Sequence, residues 1–184
     1  MKLLKPKLLR VVLIGPESSG KTWLAQDLAS RYDVCWSQEY VRQFVESHRR
    51  PVVYGDVEAI GRGQRAGEDE AIEKARSAGT LLVIHDTDLV STVVYSRHYF
   101  GDCPASIESA AAARQADLYL LHRPDVAWVA DGHQRADSER RGELLARFRD
   151  TLAALRANVV EIGGAWVDRR QTAVEAIDAL LALD

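Results

Sequence analysis

Cysteine is almost missing from this chain: its 184 residues include two, Cys35 and Cys103. They have no zinc-type spacing and form no disulfide framework, which excludes a metal-finger module and a cysteine-stapled secreted scaffold. A reducing cytoplasm is the compartment such a composition fits. Long apolar runs are missing too, so no stretch reads as crossing a bilayer. No signal peptide is expected either, because the Lys-rich start MKLLKPKLLR leads into a strand and not into a long apolar segment. Nor is there a surplus of positive charge. A net charge of −3 and a pI near 6.0 give no general attraction to nucleic acid or to an anionic membrane, and neither is expected as a partner. No internal repeat or low-complexity linker divides the chain, and its length suits one domain, read here as 1–184.

What is there begins with VVLIGPESSGKTWLAQDLA. Four apolar residues enter a polar loop, Gly15-Pro16-Glu17-Ser18-Ser19-Gly20-Lys21-Thr22, that fits G-x-x-x-x-G-K-[ST]. In such a loop backbone N–H groups cradle phosphates, the lysine reaches the β- and γ-phosphates, and the hydroxyl of the last residue binds Mg²⁺. Lys21 to Tyr32 reads as a helix with Leu24, Ala25 and Leu28 inward, so the loop opens onto a helix N-terminus that favours anions. ATP or GTP binding follows, with Gly15, Glu17, Ser18, Ser19, Gly20, Lys21 and Thr22 as contacts.

Strand-like runs then alternate with helical patterns: Val11–Ile14, Val34–Trp36, Leu81–His85, Leu118–Leu121 and Val159–Ile162. Five short strands separated by helices predict an α/β fold, a five-stranded parallel sheet with helices on both faces. Leu144, Phe148, Leu152 and Leu155 form one helical stripe, and Val174, Ile177, Leu180 and Leu181 another; both are core.

Three further stretches carry chemistry. LLVIHDTD puts Asp86 and Asp88 at a strand's carboxyl end, where open α/β sheets bind ligands. Asp86 is assigned to Mg²⁺ with Thr22; Asp88 either meets the substrate or caps the helix beginning near Leu89. His85 reads as a packed residue. WSQEYVRQF supplies Glu39, a candidate base for an acceptor hydroxyl, and Arg42, on the same face if a helix starts here. RPDVAWVADGHQRADSERRGELLARF, with Arg135, Arg140 and Arg141, reads as a mobile lid whose arginines neutralise charge on a transferred phosphoryl group.

The ordered set GPESSGKT, EYVR, DTD followed by Thr92, WVADG with Arg135, and the closing GGAWVDRR resembles the ribosylnicotinamide kinase domain of the NadR family over nearly the whole chain. The resemblance implies ATP- and Mg²⁺-dependent phosphorylation of nicotinamide riboside to nicotinamide mononucleotide, on a P-loop fold similar to nucleoside and nucleotide kinases. It implies Lys21, Glu39, Asp86 and Arg135 as catalytic, Arg135 and Arg169 as nucleotide contacts, and Glu39, Arg42, Asp88 and Trp128 at the acceptor. Gln38 and Arg65 stand where the family places aromatics, so the acceptor is expected to be gripped chiefly through its ribose. The nucleotidyltransferase and DNA-binding portions of longer family members have no counterpart here. The readings left open are a kinase of nicotinamide riboside, a kinase of another nucleoside or metabolite, and an ATP-operated regulatory switch.

Overall fold

All but one residue of the strand LRVVLI, β1 (Leu9–Ile14), is buried, and a strand covered on both faces belongs at the centre of a parallel sheet. The computed structural model, which describes residues 7–125 and 138–183, puts it there. The chain runs β1, α1 (Lys21–Tyr32), β2 (Trp36–Ser37), α2 (Tyr40–His48), α3 (Val57–Ala78), β3 (Leu82–Asp86), α4 (Leu89–Phe100), α5 (Ala105–Ala113), β4 (Leu118–His122), α6 (Ser138–Ala154), β5 (Val159–Ile162) and α7 (Trp166–Leu181). The five strands lie in the order β2-β3-β1-β4-β5, and every pair is parallel. The expected α/β class and strand number hold. The stretch read as a lid, with Trp128 and Arg135, lies outside the described residues.

Because successive strand side chains point to opposite faces, each central strand feeds two cores. Leu9, Val11 and Leu13 of β1 join Leu118 and Leu120 of β4 beneath α1 and α7. Val12, Ile14, Tyr119 and Leu121 face the other way, onto α4, α5 and α6. Phe148 at the centre of α6 is fully buried; truncating a ring so placed costs about 3–5 kcal/mol. Among the described residues no helix is long and apolar enough to cross a membrane.

Strand ends shift by a residue or two, and β2 begins later than expected. Val34 was expected in β2, but its N–H donates to Ala29 O at 3.0 Å, closing the C-terminal end of α1 behind the left-handed Asp33. The helix cap takes the residue that an apolar pattern gives to the sheet, and β2 pairs only through Trp36 and Ser37.

His85 is packed, as its strand position suggests. It is fully buried, with Nδ1 2.7 Å from Ser37 Oγ. Burial, reinforced by the charges of Arg10 and Arg114, pushes it down to about 3. Between that value and the ordinary 6.5 the unfolded chain binds a proton that the folded one excludes, so this residue's contribution to stability falls as pH falls through that window. Relative to wild type, His85→Asn should therefore gain about 1.4 kcal/mol for each pH unit below 6.5. Urea unfolding of both proteins at pH 7.5 and 5.0 tests this; parallel pH profiles would refute it.

Candidate active site

Two glycines shape the loop after β1. A Cβ on Gly15, at φ 134°, would lie 2.7 Å from His122 O, and one on Gly20, at φ 85°, would lie 2.1 Å from the Trp166 ring. Only glycine combines that backbone with that closeness. The loop is braced from inside: Ser19 Oγ donates to Pro16 O at 2.8 Å, and Lys21 Nζ donates to Gly15 O at 3.0 Å and Pro16 O at 2.8 Å. α1 begins at Lys21 with no side-chain cap and no acid in its first turn. Its end therefore keeps free N–H groups and an unopposed dipole, the electrostatics a phosphate requires.

His122 lies under the loop with Nδ1 3.1 Å from Ser19 O. A carbonyl only accepts, so Nδ1 carries the hydrogen. Burial, the largest influence, with the charges of Lys21 and Arg169 adding to it and the bond to Ser19 O opposing it, pushes this imidazole down to about 3.

Arg169, expected at the nucleotide, lies behind the loop with its guanidinium on protein carbonyls. It is fully buried. Its guanidinium donates to Gly164 O at 2.9 Å, to Ser19 O at 3.3 Å and to Arg123 O at 3.3 Å, and it pairs with Asp125. Carbonyls from the phosphate loop, from the residue after β4 and from the turn after β5 converge behind the loop, and a five-donor fork satisfies them together. Arg169 is a brace.

Asp86 ends β3, beside the loop. Its Oδ2 accepts from Thr22 Oγ1 at 2.5 Å, while Oδ1 is buried without a hydrogen-bond partner. Burial raises its carboxyl above the usual range; Lys21 opposes that, and the charge of Glu39 adds to it. Glu39 immediately precedes α2, and its Oε2 accepts from Arg42 Nε at 2.9 Å. The structure thus brings Lys21, Thr22, Glu39, Arg42 and Asp86 to one end of the sheet.

Asp88 is the helix cap and not an open acceptor contact. Its Oδ1 accepts from Val90 N–H at 2.9 Å and its Oδ2 from Tyr119 OH at 2.9 Å, and the residue is 3% exposed. The strand-to-helix turn needs a carboxylate for the orphan N–H groups of α4, and the tyrosine seals the other oxygen.

Sequence reasoning missed Gln64. This buried side chain accepts from Tyr40 N–H at 2.9 Å and donates to Thr87 O at 3.1 Å, tying the start of α2, hence Glu39, to the turn that follows Asp86. The signal was available in the helical period: Gln64 and Glu68 share the buried face of α3 with Val57, Ile60, Ala71 and Ala75, and a polar residue on an apolar face needs a partner. Gln64→Met keeps the volume and loses both bonds. We expect kcat to fall about tenfold or more, since small misplacements at a reacting centre act steeply on rate, with the KM for ATP unchanged. Steady-state kinetics check this; an unchanged kcat would sink the positioning role.

A family model described as an AAA domain matches residues 10–170. The chain belongs to this AAA domain family. The chain is also similar to the trifunctional NAD biosynthesis/regulator protein NadR of Salmonella typhimurium strain LT2, with 31% identity over 133 residues, 70% of this chain and 32% of the relative. Among solved structures it resembles NadR protein in complex with NR at TM-score 0.76 and 24% identity, covering 94% of this chain and 51% of that one. It also resembles NadR in complex with NAD and AMP-PNP at TM-score 0.75 and 23% identity, covering 96% of this chain and 50% of that one. These likenesses establish the fold that this AAA domain shares with NadR. The chain spans about a third of the curated relative's length and half of the solved chains'.

Proposed function

We propose that this AAA domain chain transfers the γ-phosphoryl group of ATP to a ribose hydroxyl of nicotinamide riboside, giving nicotinamide mononucleotide. The observation that carries the reading is the setting of Asp86: one buried carboxylate hydrogen-bonded to Thr22 of the phosphate loop and within the field of both Lys21 and Glu39. Phosphate cradle and candidate base thus flank a single point. Thr22 and Asp86 serve any nucleotide site of this kind; Glu39, facing them with Arg42, is the group that transfer to an acceptor hydroxyl calls for. The similarity to NadR, solved in complex with NR and in complex with AMP-PNP, supports the choice of donor and acceptor.

Thr22 and Asp86 are the residues that would hold Mg²⁺. Both offer hard oxygens, and Asp86 Oδ1, buried and unpartnered, suits a cation better than it suits an apolar surround. When bound, the ion neutralises charge on the phosphoryl oxygens.

The chain's own groups account for the rest. Loop N–H groups and Lys21 bind and orient the β- and γ-phosphates. Glu39, fixed by Arg42 and through Gln64, aligns the acceptor hydroxyl. Its oxygen attacks the γ-phosphorus, the bond from that phosphorus to the bridging oxygen breaks with its electron pair leaving on ADP, and the hydroxyl proton passes to Glu39 late in a loose transition state. Arg135 and Trp128 keep, in this proposal, their roles at the phosphates and the acceptor.

The test is acceptor-dependent ADP release with a series of ribosides and nucleosides. Stimulation greatest with nicotinamide riboside is expected. Stimulation by another nucleoside alone would transfer the kinase reading to that acceptor, and ATP turnover indifferent to every acceptor would favour the regulatory switch.

A further inference from the structure

The phosphate loop holds an acid where it binds anions. Glu17 sits three positions into the cradle, and a carboxylate there repels the phosphates that the surrounding N–H groups attract. Its side chain turns toward α4, where Tyr95 OH donates to Oε2 at 2.9 Å. Its Oε1 is buried with no hydrogen-bond partner. Among the described residues no lysine, arginine or histidine forms an ion pair with Glu17. Glu39, by contrast, shares its charge with Arg42.

The hydroxyl bonded to Glu17 belongs to an aromatic pair on α4. The Tyr95 ring lies nearly parallel to Tyr99, at 11° and 6.1 Å between centroids, and Tyr99 is half exposed. After burial, the charge of Glu17 is what raises the hydroxyls of both tyrosines, and Glu39 also acts on Tyr95. The phosphate loop and α4 therefore meet here, within the field of Glu39. Gln38 and Arg65, both exposed, bring no ring of their own. An uncompensated carboxylate beside a stacked tyrosine pair is the chemistry that recognises a cationic aromatic ring, by direct attraction and by cation–π contact.

We propose that Glu17 reads the positive charge of the acceptor's ring, so that the site selects a pyridinium nucleoside over its neutral isostere. This rests on the kinase reading above. The cation supplies what the loop itself lacks opposite Glu17, and acceptor binding relieves the repulsion between Glu17 and the ATP phosphates. Acceptor charge and nucleotide binding are thereby linked.

The experiment compares two acceptors of nearly one shape: nicotinamide riboside, whose ring is a cation, and its 1,4-dihydro form, whose ring is neutral. For wild type, kcat/KM should favour the cation at least tenfold. In Glu17→Gln the ratio between the two should fall at least tenfold, whatever happens to turnover with each, and most of the change should lie in the KM for the cation. Glu17→Asp, which retracts the charge without removing it, should give an intermediate ratio. The ratio is internal to each protein, so a partly unfolded preparation leaves it intact. An unchanged ratio with both acceptors slowed alike would overturn the proposal and make Glu17 a loop residue only. A wild type that uses both acceptors equally overturns it too, while leaving the kinase intact. Use of neither overturns both.

Discussion

Lys21→Ala should lower kcat/KM for ATP by about 10³-fold or more. Lys21 is the cationic side chain folded into the phosphate cradle, and removal of one preorganised donor from a developing oxyanion costs about 10²–10³ in rate even when the donor is neutral. The lysine is 6% exposed, with its ammonium turned onto two loop carbonyls. The substitution thus has a second, smaller effect. Pro16 O keeps the bond from Ser19 Oγ, but Gly15 O retains only a 3.5 Å contact with Tyr95 OH. A loss of about 1 kcal/mol of stability is expected from that change. Thermal unfolding and turnover measured on the same preparation separate the two effects, and activity within tenfold of wild type would remove Lys21 from the transition state.

Glu39→Gln should reduce kcat by about 10²-fold or more, the scale on which loss of a general base acts, and leave the affinity for ATP nearly unchanged. Glutamine still fills the place at the head of α2 and still bonds, but takes up no proton. The broken ion pair with Arg42, an i,i+3 contact whose arginine is half exposed, is worth only about 0.2–1 kcal/mol, so folding is not the explanation for a large effect. A rapid-quench measurement of the chemical step shows whether the deficit lies in transfer. Equal ATP turnover by both proteins in the presence of acceptor would refute the assigned role.

The parts of this site that rest on local pattern could be read from the sequence. Lys21–Tyr32 is a helix with the predicted ends, because glycine, an uncapped start and an apolar stripe are all short-range signals. Asp86 falls where a run of apolar residues stops, and strand ends are where such sheets bind. Side chains whose partners are distant in the chain were not legible in the same way. Arg169 and Asp88 look like ligand contacts in one dimension; in three, carbonyls from positions 19, 123 and 164 consume the first, and Tyr119 consumes the free oxygen of the second. Gln64 is the converse case, an unremarked polar residue that becomes important because Tyr40 and Thr87 arrive on either side of it. Whether a buried polar group is functional depends on what the tertiary fold leaves unpaired, and the sequence carries that information only through the packing it produces.

The strand order has a consequence of scale. Glu39 follows β2, Asp86 ends β3 and the phosphate loop follows β1, and these three strands are adjacent in the sheet. Neighbouring strands lie about 4.8 Å apart, so the backbone ladder works as a gauge that fixes the spacing of the three strand ends from which the loop, the aspartate and the candidate base depart. That spacing is held by main-chain hydrogen bonds common to all side chains, so substitutions on α2 or α4 can reshape the walls of the site without moving the strand ends that set its span.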